Sequence, residues 1–562
     1  MKLLRYIFIF TYCINAWAIS IPTEESLTLT QRQLCDLELI LNEGFAPLKG
    51  FMNQSDYTKV IEEMRLTDGT VWPMPITLDI SEDFAKKINP GCKIVLKGQE
   101  GHPLANLYVE DVYKPNKTAE AQGVFSTTDT THPGVNYLFN TTKDYYVGGK
   151  IEKIAMPKHY DFVELRKTPQ EIKEYFKRNN INKIVAFQTR NPMHRAHIEL
   201  TMRASRDLDA HLLIHPAVGL TKPGDVDHFT RVKCYKKILN YFSSEAVTLS
   251  LLPISMRMAG PKEALWHAII RKNYGVTHFI VGRDHAGPGK DKNGKDFYGP
   301  YDAQELVKKY EDEIGIKMVP FKEMVYVPDQ DKYFSVDEIS KDTKVLNISG
   351  TELRKILQEG KEMPTWFTYP EIAEELRKTS PARSKQGFTI FFTGLSGAGK
   401  STIANALAIK LMEIQNRKIS LLDGDVVRLN LSKGLGFSKE DRSTNVRRVG
   451  YVSNEITKNG GIALCALVSP YENDRQSNRN LILENGGYIE VHVATSLHEC
   501  ELRDDKGLYA LAKAGKIPNF TGISDPYETP SNPELIIDTE KVSVSEAIDL
   551  IINKLKIEGY LE

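Results

Sequence analysis

Between residues 168 and 281, short apolar runs alternate with longer stretches in helical pattern, and this alternation restricts the fold more than any other feature. The apolar runs predict four strands, at residues 181–187, 210–216, 247–252 and 278–281. The stretches around them predict helices at residues 169–179, 194–205, 229–241 and 262–274. Elements in this order form βαβ units on a parallel sheet. Residues that follow parallel strands meet at one edge of the sheet, so functional residues are expected there.

Polar side chains are concentrated directly after the first of these strands. Residues 188–197 read Gln-Thr-Arg-Asn-Pro-Met-His-Arg-Ala-His. His194 and His197 share one face at the start of the next helix, where backbone N–H groups and the helix dipole favour a phosphate. Two histidines alone are more typical of an ordinary loop. The threonine, arginine and asparagine at positions 189–191 add charge and donors, so we interpret the segment as an anion and nucleotide site.

Three further polar segments follow apolar runs and are expected on the same edge of the sheet. Gly282 permits close approach of the backbone to a ligand, and Arg257 and Arg283 offer fixed positive charge. A Gly-Arg-Asp-His sequence by itself is usually a surface turn, but its position after a predicted strand favours a functional loop. The three segments are residues 215–219, 256–261 and 282–289.

Length and charge narrow the remaining possibilities. A chain of 562 residues is too long for one hydrophobic core and suggests roughly three or four domains. Its 73 basic residues balance 73 acidic residues, which argues against a nucleic-acid partner. The six cysteines form no Cys-x-x-Cys pair, so neither a zinc site nor a dense disulfide framework is indicated.

Residues 26–167 alternate short apolar runs with turns and predict a mostly β domain with one early helix at residues 31–42.

The N-terminus has the form of a secretory signal peptide. Lys2 and Arg5 precede an apolar stretch, residues 6–17, that ends in Ala-Trp-Ala. An upstream start, or an apolar segment packed on the first domain, would give the same pattern. No other stretch is long and apolar enough to span a membrane, so no membrane association is expected apart from this segment.

A second α/β unit follows a polar, linker-like segment at residues 378–386. A predicted strand, residues 388–393, and a predicted helix, residues 403–414, enclose the sequence Gly-Leu-Ser-Gly-Ala-Gly-Lys-Ser-Thr. This is a P-loop, with backbone N–H groups around the phosphates, a lysine bridging the β- and γ-phosphates and a hydroxyl on Mg²⁺. The residues expected to bind nucleotide are Gly394, Gly397, Gly399, Lys400, Ser401 and Thr402, with Ser401 as the Mg²⁺ ligand.

Further polar and aromatic residues follow the P-loop. Asp423 and Asp425 come after a predicted strand at residues 419–422, and Ser469 comes after another at residues 462–468. Cationic, amide and phenyl side chains complete a pocket for a second anionic substrate with an aromatic ring. Without the P-loop, the arginines at 442–448 would be interpreted as a solvated helix face. The pocket residues are Arg428, Phe437, Arg442, Asn445, Lys506 and Phe520.

The polar segments of the first α/β unit closely resemble those of the ATP sulfurylases, or sulfate adenylyltransferases. Residues 32–38 (Arg-Gln-Leu-Cys-Asp-Leu-Glu) and 44–52 (Gly-Phe-Ala-Pro-Leu-Lys-Gly-Phe-Met) add to the resemblance, which covers residues 27–377. It implies a β-rich N-terminal domain, a Rossmann-like nucleotidyltransferase domain of the His-x-x-His type and a small third domain. It also implies a reaction in which a sulfate oxygen attacks the α-phosphorus of MgATP, giving adenosine 5′-phosphosulfate (APS) and pyrophosphate.

The resemblance also implies roles for individual residues. Gln188 and Arg190 hold sulfate beside the backbone of Ala286, and Arg257 acts as a mobile cationic lid. Sulfate is a poor nucleophile that needs no base, so catalysis is expected to rest on positioning and charge neutralisation. By the same resemblance, Thr189 and Asn191 contact phosphate oxygens, and His194 and His197 contact the phosphorus centre and the β- and γ-phosphates. The nucleotide is contacted by Gly282, Arg283, Asp284 and His285. Met324 contacts adenine through its backbone.

Residues 386–562 resemble the APS kinases. The resemblance implies in-line transfer of the γ-phosphoryl group of ATP to the 3′-hydroxyl of APS, giving 3′-phosphoadenosine 5′-phosphosulfate (PAPS). Asp423 is the candidate to orient or deprotonate that hydroxyl, with Asp425 beside it. Ser469 matches a serine described in that family as a phosphoserine intermediate, and we interpret it as a residue near the transferred phosphate. The residues that match APS-binding positions are Arg428, Phe437, Arg442, Asn445, Lys506 and Phe520.

The fungal sulfurylases offer an alternative for the C-terminal region. Their kinase-like domain has lost its P-loop and senses PAPS allosterically. This chain retains Lys400, Ser401, Asp423, Asp425 and Ser469. An active kinase is therefore the main hypothesis, and a monofunctional sulfurylase with a regulatory PAPS- or APS-binding domain is the alternative.

The complete prediction is an α/β multidomain enzyme acting on ATP, sulfate, APS, PAPS and pyrophosphate, with Mg²⁺ on ATP and no tightly bound metal or organic cofactor. The resemblance implies a homo-oligomer. ATP supply and unpaired thiols favour the cytoplasm over export or anchoring through the N-terminal segment. The predicted parts are a signal-like segment (1–20), a β-rich N-terminal sulfurylase domain (21–167), a nucleotidyltransferase domain (168–327), a small helical domain with a linker (328–385) and a P-loop kinase domain (386–562).

Overall fold

The computed structural model describes residues 25–222 and 224–562. The signal-like segment predicted at residues 1–20 lies outside the described residues. Within the described ranges, no helix combines the length and the apolar character needed to cross a membrane. The described chain divides into two compact units. The first contains the described residues up to Asn347 together with Pro364–Glu375, and the second contains Ile348–Met363 together with Leu376–Glu562.

The first unit begins with a six-stranded sheet. Its strands lie in the order β1-β4-β5-β6-β2, with β3 also paired to β6. Only the pairing of β1 with β4 is parallel. The strands are β1 (Ser26–Thr28), β2 (Gly50–Phe51), β3 (Leu78–Ile80), β4 (Lys93–Lys97), β5 (Pro103–Tyr113) and β6 (Tyr145–Lys153).

Five α-helices accompany this sheet in the described residues up to 167, where the sequence predicted only one. The additional helices are short and begin in stretches that look like turns. Asn53 and Asn116, for example, cap α2 and α4 by accepting the backbone N–H groups of Asp56 and Ala119 at 3.0 Å. The helices are α1 (Gln31–Leu41), α2 (Gln54–Glu63), α3 (Glu82–Ala85), α4 (Lys117–Phe125) and α5 (Pro133–Asn140).

The second sheet of the first unit is parallel and confirms the predicted alternation. Its order is β11-β10-β7-β8-β9, with β7 in the centre. The strands are β7 (Ile184–Phe187), β8 (His211–Ile214), β9 (Val247–Leu249), β10 (His278–Val281) and β11 (Lys317–Pro320). The helices are α6 (Pro169–Arg178), α7 (Arg195–Leu208), α8 (His228–Ile238), α9 (Gly260–Asn273) and α10 (Asp302–Ile314). An antiparallel hairpin of β12 (Met324–Val327) and β13 (Lys332–Ser335) follows.

A single hydrophobic core joins the two sheets of this unit. Phe45 lies between Trp72 and Trp266, with ring centroids 5.8 and 5.2 Å away, and all three side chains are fully buried. Burial of one such side chain stabilises the fold by roughly 2–3 kcal/mol. Because Trp266 belongs to α9, residues of the N-terminal part of this unit pack against a helix of the second sheet.

The second unit contains a five-stranded parallel sheet in the order β15-β16-β14-β17-β18. The strands are β14 (Phe388–Thr393), β15 (Ile419–Asp423), β16 (Ile462–Ala466), β17 (Gly487–Val493) and β18 (Leu535–Ile537). Helix α11 (Gly350–Gln358) precedes them in the chain, as does α12 (Pro370–Thr379), of which residues 370–375 belong to the first unit. The others are α13 (Lys400–Ile414), α14 (Gly424–Leu429), α15 (Lys439–Lys458), α16 (Glu472–Leu483), α17 (Leu497–Leu502), α18 (Leu508–Lys513) and α19 (Val544–Ile557). Strand β14 and helix α13 enclose the P-loop, as predicted.

Candidate active sites

Three of the polar segments predicted from the sequence lie at one edge of the parallel sheet in the first unit. Strand β7 pairs with β8 on one side and β10 on the other, both in parallel. The segments after these three strands therefore leave the sheet side by side. They are residues 188–194, 215–219 and 282–286.

Arg190 forms an ion pair that the sequence did not reveal. Its Nη1 donates to both carboxylate oxygens of Asp225, at 2.5 and 2.6 Å, and both side chains are largely buried. The backbone N–H of Lys222 also donates to Asp225 at 3.1 Å. A partly buried guanidinium with a carboxylate on one side is suited to holding an oxyanion on its other side.

Thr189 and Asn191 form a tight turn after the strand. The Thr189 hydroxyl donates to the carbonyl of Asn191 at 3.0 Å, and the Asn191 backbone N–H donates to the same hydroxyl oxygen at 3.1 Å. Tyr235 of α8 also donates to the Asn191 carbonyl, at 2.7 Å. The turn is thus fixed from two sides, which holds the Asn191 backbone for the contact predicted at phosphate oxygens.

His194 is packed against the chain after α11, and His197 lies between His194 and Phe187. The His194 ring stacks on Phe367 with centroids 4.3 Å apart, and its Nδ1 lies 3.1 Å from the Thr368 hydroxyl. Burial lowers the pKa of His194 to about 3 and that of His197 to about 4. The His194 backbone N–H donates to Nδ1 of His197 at 3.2 Å, so the neutral His197 ring carries its proton on Nε2. A neutral N–H donor of this kind can stabilise phosphate oxygens.

These low pKa values predict a loss of stability at mildly acidic pH. Folding lowers both pKa values, so the unfolded chain binds protons more readily. The stability contribution is complete above the unfolded value of about 6.5 and declines as pH falls toward the folded value. Between pH 7.5 and 5.5 we expect the free energy of unfolding to fall by about 1 kcal/mol per histidine. Urea denaturation at both pH values measures this, and His194→Asn should weaken the pH dependence by that amount. An unchanged dependence would contradict a buried neutral His194.

Arg257 is buried rather than presented as a cationic lid. Its Nη2 donates to both carboxylate oxygens of Asp36, at 2.8 and 2.6 Å, and Nη1 donates to the carbonyl of Ser255 at 2.5 Å. The guanidinium also lies over the Trp266 ring, 5.4 Å from its centroid. In the conformation that the structure describes, Arg257 therefore ties the loop after β9 to helix α1.

The loop after β10 has a constrained backbone. Asp284 and Ala286 have φ values of +50° and +56°, which are rarely adopted by non-glycine residues and are typical of functional sites. A Cβ added at Gly282 would meet no atom within 4 Å, so this backbone is open to a ligand. Arg283 pairs with Glu323 at 3.0 Å, next to Met324 at the start of β12. This ion pair connects the two segments predicted to contact the nucleotide.

The P-loop of the second unit has the backbone that its glycines permit. Gly394 has φ +148°, and a Cβ there would lie 2.4 Å from the carbonyl oxygen of Val493. Lys400 is buried, and its Nζ donates to the carbonyls of Gly394 and Leu395 at 2.9 and 2.6 Å. Burial lowers the pKa of Lys400 to about 8. Gly397 and Gly399 also have positive φ, and Ser401 and Thr402 open α13 with exposed side chains.

The structure brings Ser401, the predicted Mg²⁺ ligand, next to Asp423, the residue predicted to orient or deprotonate the hydroxyl of APS. The Ser401 hydroxyl donates to Oδ2 of Asp423 at 2.6 Å, while Oδ1 accepts the backbone N–H of Asp425 at 3.0 Å. Hydroxyl and carboxylate oxygens are the protein ligands that Mg²⁺ prefers. Among the described residues there is no cluster of three or more His, Cys, Asp or Glu side chains able to hold a metal alone. These donors therefore fit Mg²⁺ that is bound mainly through phosphates.

Three residues predicted to bind APS, Lys506, Arg428 and Phe437, lie beyond the P-loop. Lys506 forms an ion pair with Asp425. The Arg428 guanidinium lies over the Phe437 ring, 4.3 Å from its centroid, and donates to the carbonyl of Gly436 at 3.0 Å. Cation and ring are thus both available to an anionic nucleotide at this surface.

The remaining predicted residues of the second site are more buried. Arg442 donates to the carbonyl of Asn519 and the hydroxyl of Thr521, next to Phe520. Asn445 Oδ1 and Ser469 Oγ are buried polar atoms with no hydrogen-bond partner among the described residues. Ser469 also has φ +45°, a constrained backbone at the end of the chain segment after β16.

Sequence reasoning missed most of the partners that hold the predicted residues in place. Asp36 lies in the Arg-Gln-Leu-Cys-Asp-Leu-Glu segment that carries the resemblance, and it could have been singled out there. Asp225 and Thr368 lie outside any segment that signalled function. A signal did exist in α9, where Glu263, His267 and Arg271 recur every four residues in a helix whose other residues at positions 264–270 are apolar.

Fold and sites together define a class: a nucleotidyltransferase unit with a His-x-x-His loop on a parallel sheet, followed by a P-loop phosphotransferase unit. Comparison with known proteins makes this class specific. Residues 163–379 match the ATP-sulfurylase family, residues 386–538 match the adenylylsulphate kinase family, and residues 17–156 match a PUA-like domain.

Relatives are similar over nearly the whole chain. It is 53% identical to a sulfate adenylyltransferase of Neurospora crassa over 543 residues, covering 96% of this chain and 95% of the relative. It is 52% identical to that of Phaeosphaeria nodorum over 539 residues, covering 95% and 94%. It is also similar to the solved structure of a hexameric APS kinase from Thiobacillus denitrificans, with TM-score 0.79, 36% identity and coverage of 96% and 94%. The chain belongs to the sulfate adenylyltransferase family, and it carries an APS kinase domain.

Proposed function

We propose that this chain activates sulfate in two consecutive reactions with ATP. In the first, adenylyl transfer to sulfate gives APS and pyrophosphate. In the second, phosphorylation of APS at its 3′-hydroxyl gives PAPS and ADP. The observation that carries the second activity is the P-loop between β14 and α13, with a buried Lys400 and the Ser401–Asp423 pair in place.

In the first reaction, an S–O–P bond forms as the bond between the α-phosphorus and the bridging oxygen of pyrophosphate breaks. We propose that Gln188 and Arg190 hold sulfate and that no base takes part, because sulfate has no proton to lose. Neutral imidazole N–H groups and backbone donors at residues 189–191 stabilise charge on the phosphorus centre, and the loop at residues 282–286 orients the nucleotide. Arg257 acts as a mobile cationic lid once its guanidinium leaves the carboxylate of Asp36, and Met324 contacts adenine through its backbone.

In the second reaction, the 3′-oxygen of APS bonds to the γ-phosphorus as the bond to ADP breaks. We propose that Asp423 orients the hydroxyl and accepts its proton, and that Lys400 neutralises charge on the transferred group. The exposed cations and rings around Arg428 and Phe437, with Arg442, Lys506 and Phe520, bind APS. Ser469 lies near the transferred phosphate. Mg²⁺ bound with ATP, and held on the protein by Ser401, supplies charge neutralisation between the β- and γ-phosphates.

The regulatory alternative is not favoured, since residues 386–538 match the adenylylsulphate kinase family and the P-loop residues are retained. Incubation of the purified chain with MgATP, radiolabelled sulfate and a pyrophosphatase should yield labelled APS and PAPS. A second incubation with MgATP and APS, without sulfate, tests the kinase alone. APS formation in the first mixture, with no PAPS in either mixture, would leave a sulfurylase with a regulatory C-terminal domain.

We further propose the domain division given above, with boundaries after residues 20, 167, 327 and 385. The hexameric state named for the solved relative supports a homo-oligomer here as well, which size-exclusion chromatography with light scattering tests.

We propose the cytoplasm as the compartment because both reactions consume ATP. N-terminal sequencing of native protein from fractionated cells tests this, and a start near Ile19 in an exported fraction would overturn it.

A further inference from the structure

Helix α9 carries three buried ionisable side chains at intervals of four residues. Glu263, His267 and Arg271 therefore lie on one face of the helix, and each is 0% exposed. Burial of charged groups without a specific partner costs several kcal/mol, so a fully buried polar face needs a reason. Each of the three contacts a different strand-end segment of the first active site.

Glu263 holds the loop after β9. One of its carboxylate oxygens accepts the backbone N–H of Arg257 and the other accepts that of Ala259, both at 2.8 Å. The same carboxylate lies 3.4 Å from Nε2 of His267. Burial alone would raise the pKa of Glu263, but the contact with His267 and then the hydrogen bonds from the backbone N–H groups lower it, so the group is a carboxylate.

His267 holds the loop after β10. Its Nδ1 lies 3.1 Å from Nε2 of His285, which belongs to the segment proposed to orient the nucleotide. The His285 ring also meets Phe279 edge-on, with centroids 5.6 Å apart. Carboxylate, His267 and His285 thus form one buried row from α9 to the nucleotide loop.

Arg271 holds the segment after β7. Its Nη2 donates to Oε1 of Gln188 and, at 2.9 Å, to the carbonyl of His215. A guanidinium has only donors, so the amide oxygen of Gln188 must face it, and the amide NH₂ points the other way. Within the described chain, the only hydrogen-bond acceptor for that NH₂ is the sulfur of Met256, at the long distance of 3.7 Å.

This orientation matters because a sulfate dianion offers only acceptors. An amide with its NH₂ outward attracts the anion, whereas the flipped amide would present an oxygen and repel it. Arg271 also brings a positive charge next to the proposed sulfate-binding amide. Burial lowers the pKa of Arg271 to about 9, so it remains charged at neutral pH.

We propose that the polar face of α9 is the positioning element of the adenylyl-transfer site: Arg271 fixes the Gln188 amide for sulfate, and His267 fixes His285 for the nucleotide. The inference rests on the proposed sulfurylase function. It makes these two residues, four apart on one helix, responsible for the binding of different substrates.

Sulfate-dependent ATP–pyrophosphate exchange tests this through the KM of each substrate. Arg271→Met should raise the KM for sulfate about tenfold or more, the effect of one lost hydrogen bond to a charged group, with the KM for ATP within about twofold. His267→Leu should instead raise the KM for ATP about tenfold or more and leave the KM for sulfate within about twofold. Arg271→Lys retains a donor and the charge, so its KM for sulfate should lie between those of wild type and Arg271→Met. If Arg271→Met does not fold, the KM values of Arg271→Lys still test the proposal.

Asn273→Ala is the matched control on the same helix. Its amide donates to the carbonyls of Gly44 and Ala46 at 3.0 and 2.9 Å, away from the strand-end segments, so its loss should leave both KM values within about twofold. Equal increases of both KM values in the Arg271 and His267 variants, or changes no larger than in the control, would overturn the proposal. A wild-type chain without sulfate-dependent exchange would instead overturn the proposed function.

Discussion

Arg190→Ala is expected to reduce sulfate-dependent ATP–pyrophosphate exchange roughly a thousandfold, to the limit of detection. The variant loses the fixed cation proposed to hold sulfate and leaves the carboxylate of Asp225 unpaired beside the site. Removal of a preorganised cationic donor costs about 3–4 kcal/mol of transition-state stabilisation, and the remaining negative charge would repel a dianion. The exchange rate at saturating ATP, measured over a range of sulfate concentrations, gives the result.

Two further variants separate the causes. Arg178→Ala removes an exposed arginine of α6 whose partner is Glu174, one turn away on the same helix, and should leave exchange unchanged. Arg190→Ala combined with Asp225→Asn removes the unpaired carboxylate and should recover part of the lost rate if repulsion contributes. The phosphorylation of APS by the Arg190 variant should remain normal. A near-normal exchange rate in Arg190→Ala would contradict the assignment of Arg190 to sulfate.

The parts of the fold that follow from local sequence were predictable. Strand β10 (His278–Val281) and strand β14 (Phe388–Thr393) have the bounds that their apolar runs predicted. Both are buried in parallel sheets, where nearly every side chain must be apolar, so the sequence signal is strong. The P-loop was equally clear, because positive φ angles at three positions leave glycine as the favoured residue.

The parts that depend on contacts between distant residues were not predictable. Asp36 and Arg257 are separated by 221 positions, and nothing in either local sequence indicates that they pair. The contacts of Arg271 with Gln188 and of His194 with Thr368 also join distant segments. The same limit explains the missed helices of the first 167 residues, where side-chain caps rather than long amphipathic patterns set the starts.

The two sites also differ in the charge state and the exposure of their ionisable side chains, and the difference suits the two reactions. The first contains buried, neutral histidines and ion-paired arginines, in a site where no proton is transferred. The second exposes Asp425 and Lys506 to solvent beside Asp423, where a hydroxyl must lose its proton. Formation of the phosphosulfate anhydride from ATP is uphill, so consumption of APS by the second site draws the first reaction forward.

Lys400→Met is expected to abolish PAPS formation while APS formation continues. The substitution keeps the length of the side chain but removes the cation proposed to bridge the β- and γ-phosphates. Since phosphoryl transfer rests on positioning and charge neutralisation, a loss of roughly a thousandfold or more in the kinase rate is expected. With MgATP, labelled sulfate and pyrophosphatase, the variant should accumulate APS where the wild type accumulates PAPS.

Lys410→Met provides the matched control for this prediction. Lys410 lies on the same helix, α13, and its exposed side chain pairs with Glu413 at 2.7 Å. Its replacement changes the net charge by the same amount without touching the P-loop, so both products should form at wild-type rates. PAPS formation by Lys400→Met at a rate close to that of Lys410→Met would mean that the P-loop lysine does not neutralise the transferred phosphate. In that case the buried position of Lys400, with its bonds to the carbonyls of Gly394 and Leu395, would be structural.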